Sequence, residues 1–551
     1  MHVSADSLLG RVRRWTSSAA MTMLLAGVGA GSLAARELLS THVPALVAQH
    51  RVAMVGTPNP ASWRQLDIAL PMRNQAGLDA LLRAIYRPGD PSYHRYLSVA
   101  EFTELFGPTG TDYATAANFL RTAGFKVMAR SANRYMIEAR GTVADIERVF
   151  HLKLFLYRHP TEPRSFIAPD REPTLDLQVP VLHVTGLDDL VRPTPRIVLP
   201  GGSARKLRPD GAGSGPGGNF IGSDMRAAYF GGSKLSGAGQ SVGLMELKGY
   251  NPADVILYFK NVNQPLNVPV NAISTDGTRV TCTKCEDAEQ TLDIDYAVSM
   301  APGLQQVQVY VGHSPDSVLE RMASDNTSKQ LSTSWGWHKT FAVEDPLWQE
   351  MAVQGQTFLT ASGDYSNLKD SGPWPEEDAN LTAVGGTDLV TRGAGGPYAS
   401  ENGWSGSAGG PSLDRHIRIE PYQLPFINTS NRGSQRLRNV PDISANADTD
   451  FYICADGGCG GGAGGTSFSS PIWAGYIALA NEKAAANGQP PVGFLNPALY
   501  ALASGANYKY LFHDVRGGRS GHYTAVKGYD LVTGLGSQHG TNLINALAGA
   551  P

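Results

Sequence analysis

Ser467 sits in Gly464-Gly465-Thr466-Ser467-Phe468-Ser469-Ser470-Pro471, a run of small residues that presents one hydroxyl and then closes on proline. A serine hydroxyl is a weak nucleophile near neutral pH unless a positioned base takes its proton. Histidine is the usual base, yet the one His-Gly-Thr of this chain, His539-Gly540-Thr541, follows the serine instead of preceding it. Upstream stand Glu289 and Asp293, two carboxyl groups four residues apart. On a helix that spacing places both on one face. Like charges so close disfavour joint ionisation, so the pair titrates as a unit. A glutamate base suits acidic solution, where histidine would be fully charged.

The elements that must hold these groups are legible in outline. Leu292-Asp-Ile-Asp-Tyr-Ala-Val-Ser-Met-Ala-Pro302 reads as the helix carrying the pair. Residues 240–246, 306–311 and 356–361 read as buried strands, with helical stretches between them. After Gly222 this alternation predicts an α/β unit, a parallel sheet flanked by helices with function at the strand ends. From about Ala61 to Pro160, strand-like and helix-like segments alternate in a way that suits a small α+β domain, and Ser98 with Glu101 reads as a helix-capping pair. Between the two, Val191 to Asn219 holds five prolines and two glycine clusters with no apolar period. It reads as an exposed linker, the kind of segment proteases cut.

At 551 residues the chain is long enough for two folded units, and its net charge of -3 gives no electrostatic case for nucleic acid. Arg11, Arg13 and Arg14 precede an apolar, glycine-diluted run from about Ala19 to Ala35. That pattern reads as a secretory signal over residues 1–35, cleaved near Ser32-Leu33-Ala34, with an uncleaved membrane anchor as the alternative. No other segment looks transmembrane. Cys282/Cys285 and Cys454/Cys459 form two close pairs, which in an exported chain read as local disulfides. A four-cysteine zinc site would need a second Cys-x-x-Cys, and Cys454 and Cys459 are five apart.

Taken together, Glu289/Asp293, Ser334-Trp335-Gly336, Ala361-Ser362-Gly363-Asp364 and Gly465-Thr466-Ser467 occur in the order and spacing of the sedolisin family of serine-carboxyl peptidases, which this chain resembles over roughly residues 60–551. The region around Arg87-Pro-Gly-Asp-Pro-Ser-Tyr-His-Arg-Tyr96 and Glu101–Phe106 resembles a kumamolisin-type pro-domain. The resemblance implies a subtilisin-like catalytic domain over 220–551, an inhibitory ferredoxin-like pro-domain over 45–200, and a processing region over 201–219, with the cut between about Pro195 and Asn219. It implies Ser467 as nucleophile, Glu289 as general base, Asp293 as its partner and Asp364 as oxyanion-hole donor. Glu246 and Trp335 would extend the hydrogen-bond chain, and Ser334, Trp335 and Gly336 would bind the substrate backbone. His338 reads as a rim residue. An aspartate at the oxyanion hole can donate only when protonated, which implies acid activity.

The resemblance also implies one structural Ca²⁺, held by the side chains of Asp514 and Asp530 and the carbonyls of Val515, Val526 and Gly528, a hard oxygen set. The partners implied are polypeptide substrates and the chain's own pro-domain. The activity implied is a secreted, acid-active endopeptidase made as a zymogen. A tripeptide-releasing aminopeptidase of the same family is the alternative. An inactive binding protein on this scaffold would have lost at least one of Ser467, Glu289, Asp293 and Asp364, and all four are present.

Overall fold

The computed structural model describes residues 36–37, 41–200, 213–232, 234–368 and 374–549. The expected signal segment, 1–35, and residues 201–212 of the expected processing region lie outside the described residues. In the N-terminal unit, β1 (Trp63–Ala69), β2 (Lys126–Arg130), β3 (Met136–Thr142) and β4 (His183–Thr185) form one antiparallel sheet in the order β2-β3-β1-β4. Helices α1 (Gln75–Ile85), α2 (Val99–Leu105) and α3 (Gly110–Thr122) link β1 to β2, and α4 (Val143–Val149) follows β3. This is the ferredoxin-like connection, with a hairpin of residues 154–169 inserted before β4. Leu66 and Ile68 of β1 meet Ala116, Leu120, Val143 and Ile146 in one buried cluster, the face that strand alternation and helix period both present. Ser98 accepts from the Glu101 amide while Glu101 takes the Ser98 amide, so α2 begins on a capping box.

After β4 the chain does not run free as the linker reading expects. β5 (Thr194–Pro195) pairs with the second unit. There, β6 (Ser241–Glu246), β7 (Val270–Ser274), β8 (Gln306–Val311), β9 (Gln330–Thr333), β10 (Trp335–Gly336), β11 (Thr357–Ala361), β12 (Thr382–Thr391), β13 (Tyr398–Gly403) and β14 (Ile443–Asn446) follow in sequence. All but β10 build one sheet, ordered β7-β8-β6-β9-β11-β12, with β14 parallel to β12 and only β13 antiparallel. Every residue of β6 is buried, as expected for a parallel strand covered on both faces.

Helices α5 (Ala288–Met300), α6 (Pro315–Asp325), α7 (Phe341–Val353) and α8 (Thr466–Ala486) serve this sheet. The α5 and α8 helices pack together at Gly475, where a Cβ would come within 2.7 Å of Met300 and 2.8 Å of the Ala297 carbonyl. Glycine there lets the helix that starts at the serine approach the helix that carries the carboxyl pair. The N-terminal unit docks on the second unit through α7. Tyr135 donates to the Val343 carbonyl at 2.8 Å, Asn133 to Glu350 at 2.7 Å, and Gln75 to Gln349 at 2.7 Å.

Candidate active site

Ser467 lies in the first turn of α8, a 21-residue helix whose N-cap is Gly465. The first amides of a helix have no partner within it and carry the positive end of its dipole. The Ser467 N–H is one of these, and it donates to the Arg196 carbonyl at 3.2 Å. Gly465 adopts φ 117°, and a side chain there would meet the Arg196 carbonyl oxygen at 2.3 Å and Asp364 Oδ2 at 2.8 Å. Those two oxygens therefore converge on the bare α-carbon of Gly465. Asp364 follows β11, and its other oxygen, Oδ1, accepts from the Thr466 amide at 2.8 Å and the Thr466 hydroxyl at 2.9 Å. Burial pushes the Asp364 carboxyl up to about 6, against the pull of the two Thr466 hydrogen bonds and the Arg196 charge. Oδ2 is thus the oxygen free to carry a proton toward the carbonyl.

Glu289 and Asp293 both lie on α5 and are 2% and 0% exposed. Asp293 Oδ1 accepts from the Ser334 hydroxyl at 2.7 Å, and Glu246 accepts from the Trp335 indole at 2.8 Å. Burial, then the Asp293 charge, holds Glu289 well above the usual carboxylate range, while the Ser467 hydroxyl pulls the other way. Burial lifts Asp293 to about 8 against the hydrogen bond from Ser334 and the pull of the neighbouring Glu246 carboxyl, and burial and Asp293 together hold Glu246 high. No hydrogen bond of normal geometry joins Ser467 Oγ or either Glu289 oxygen to the described residues. The hydroxyl is near enough to favour the charged glutamate without closing a full bond. Such an arrangement can take a proton from a serine and return it elsewhere.

A peptide already crosses this site, and it belongs to the same chain. Thr194 and Pro195 pair antiparallel with Gly336 and Trp335, and the Arg196 amide donates to the Ser334 carbonyl at 2.9 Å. On the far side Val198 exchanges both backbone bonds with Gly464, at 2.8 and 2.9 Å. Within the expected exposed linker of Val191 to Asn219 the structure corrects the reading at Arg196, which is 1% exposed, while Thr194, Pro195, Leu199 and Pro200 are exposed. Prolines 193 and 195 and the missing apolar period describe an extended strand that finds its partners in another unit.

Residues 51–190 match the family described as pro-kumamolisin, activation domain. Sedolisin of Pseudomonas sp. (strain 101) is 28% identical over 85% of this chain and 84% of its own. Kumamolisin of Bacillus sp. (strain MN-32) is 27% identical over 93% of this chain and 96% of its own. A solved structure of Pseudomonas sedolisin, a serine-carboxyl proteinase complexed with two molecules of pseudo-iodotyrostatin, aligns with a TM-score of 0.52 at 26% identity, covering 62% of this chain and 98% of that one. Along most of its length the chain is thus similar to sedolisin and kumamolisin. It is a serine-type peptidase with a kumamolisin-type activation domain, made as a zymogen.

Other residues of this peptidase fall as follows. His338 packs edge-on to Trp374, with ring centroids 5.2 Å apart. Cys282 is bonded to Cys285 and Cys454 to Cys459. Asp514 and Asp530 close on one loop, since Asp514 Oδ1 takes the Gly528 amide at 2.8 Å and Asp530 Oδ2 takes the Val526 amide at 3.1 Å. No three His, Cys, Asp or Glu side chains gather for a metal among the described residues. A hard cation would need the carbonyls of Val515, Val526 and Gly528 to complete its shell, and with two carboxylates that all-oxygen set fits calcium in kind. Sequence reasoning missed Arg196, Tyr365, Trp374, Glu376 and Thr466. No helix among the described residues is long and apolar enough to cross a membrane.

Proposed function

We propose that this peptidase is a secreted, acid-active endopeptidase with Ser467 as nucleophile, Glu289 as base, Asp293 as the partner of that base and Asp364 as a protonated oxyanion donor. The observation that carries the reading is the Arg196 carbonyl, which accepts from the Ser467 amide at the bare α-carbon of Gly465 that Asp364 also faces. Ser467 attacks such a carbonyl, Glu289 takes the hydroxyl proton and delivers it to the leaving amine, and the Ser467 amide with Asp364 steadies the oxyanion. The segment across the cleft keeps water from the carboxyl cluster.

Cleavage inside chains is favoured over tripeptide release because backbone passes through the site in both directions, from Pro193 and beyond on one side to Val198 and beyond on the other. Export rests on the basic and apolar pattern of residues 1–35. One Ca²⁺ bound at Asp514 and Asp530 would clamp the C-terminal loop to the body of the domain, with no part in the chemistry. The test is to incubate denatured casein with the processed enzyme and weigh the products. Internal fragments of varied length are expected, and a ladder of tripeptides from the N-terminus would replace this reading with the exopeptidase one.

A further inference from the structure

We propose that the pocket for the residue before the cut bond selects arginine, and that Arg196–Ile197 is the bond the chain cuts to free itself of its activation domain. The inference rests on the reading of Ser467 as nucleophile. The backbone register fixes the bond: the carbonyl at the Ser467 amide is that of Arg196, and Val198, two residues on, is the one that pairs with Gly464. The Arg196 side chain then leads into the body of the domain. Its Nη2 lies 3.1 Å from Glu376 Oε1, with the two side chains 1% and 2% exposed. Its guanidinium carbon stands 4.9 Å from the ring centroids of both Tyr365 and Trp374. Backbone forms the walls, since a Cβ at Gly336 would fall 2.2 Å from Nη2 and one at Gly363 3.2 Å from Nη1.

Each part of this pocket is costly without a cation. A buried carboxylate needs a partner, and removing the partner from a buried pair is strongly unfavourable. Burial holds the Glu376 carboxyl at about 7 against the pull of the Arg196 charge, and leucine or citrulline before the cut bond would leave its ionised form without a counter-charge. Arginine meets it with a charge-assisted hydrogen bond and meets the two rings with its planar cation. Lysine presents a point charge that cannot fill a slot between two aromatic faces in the same way. In the self-cut, Ser467 Oγ replaces the Ile197 nitrogen on the Arg196 carbonyl carbon, and the serine proton reaches that nitrogen through Glu289. Water then displaces the serine, leaving a carboxyl terminus at Arg196 and a free amine at Ile197.

Two measurements test this. Full-length wild-type protein, acidified at high dilution, is expected to yield a new N-terminus at Ile197 while Ser467→Ala protein stays intact; wild type that frees its activation domain by cutting elsewhere, with Arg196–Ile197 intact, would overturn the assignment of the bond. Peptides Ala-Thr-Pro-Xaa-Ile-Val with arginine, citrulline or leucine at Xaa are then compared by kcat/KM. Arginine is expected to exceed citrulline on the order of 10²-fold, the scale of leaving a buried partner unpaired, and Glu376→Gln is expected to cut that ratio at least about tenfold. Equal rates for arginine and citrulline in wild type would refute the pocket, whether or not the Glu376 variant folds. An enzyme that cuts neither these peptides nor denatured casein would sink the peptidase reading itself, a different outcome from loss of selectivity.

Discussion

Asp530 and Glu289 are both buried carboxyl groups, 0% and 2% exposed, yet their surroundings are opposite. Asp530 Oδ1 accepts from the amides of Val532 and Thr533, both at 2.8 Å, and Oδ2 accepts from the Val526 amide and the Thr533 hydroxyl, both at 3.1 Å. Neither oxygen of Glu289 has a normal hydrogen bond to the described residues, and Asp293 and Glu246 each leave one oxygen in the same condition. A carboxylate held by several donors is a fixed acceptor that ties a loop together. One that is buried, underbonded and beside like charges keeps its proton tightly and can trade it, which is the mark of a functional site. Burial alone does not separate the two; the count of donors does.

The largest effect that follows lies on the underbonded side. Ser467→Ala and Glu289→Gln are each expected to lower kcat on the order of 10⁴-fold or more while the circular dichroism spectrum stays unchanged. Combining them should add little, because groups that act as one unit are not additive. A folded Glu289→Gln protein with turnover near wild type would remove Glu289 from the chemistry.

On the fully bonded side the effect should fall on stability. Asp530→Ala strands three backbone amides, each worth about 1–3 kcal/mol when left unsatisfied in the interior. A marked drop in Tm is expected, with kcat per folded molecule little changed. If calcium binds there, a chelator should lower the wild-type Tm, since a ligand at a hundredfold excess over Kd stabilises by about 2.7 kcal/mol. The variant should no longer respond to the chelator. A wild-type Tm indifferent to chelator, with no calcium in the folded protein, would leave hydrogen bonding as the whole role of Asp530.

Legibility in the sequence followed the range of the deciding interaction. The carboxyl pair was visible because four-residue spacing on a helix is local, although α5 begins at Ala288, earlier than the apolar run at Leu292 suggests. The strands of the large sheet were visible through short apolar runs, and α2 through its capping pair. Thr194–Val198 was misread because its partners, Gly336 and Gly464, lie far along the chain and leave no mark on local composition. Glu376 drew no reading, for the same reason. In Trp374-Pro375-Glu376-Glu377 it looks like a solvated acidic turn, and only Arg196, 180 residues away, gives it a charge to face inward.

The central claim is that carboxyl chemistry replaces histidine and a neutral oxyanion donor, and the pH dependence of Asp364 tests it most directly. A group that must be protonated supports activity below its pKa and withdraws it above, and burial holds Asp364 at about 6. The measurement is kcat/KM for one peptide from about pH 3 to 8, for wild type and Asp364→Asn, with folding followed in the same buffers. Wild-type activity is expected to fall as pH rises through about 6 while the protein remains folded. Asparagine, a permanently neutral donor of nearly the same shape, should move that limb upward or flatten it until the Glu289/Asp293 pair or unfolding becomes limiting. An Asp364→Asn enzyme that is folded and active with an unchanged alkaline limb would contradict the account.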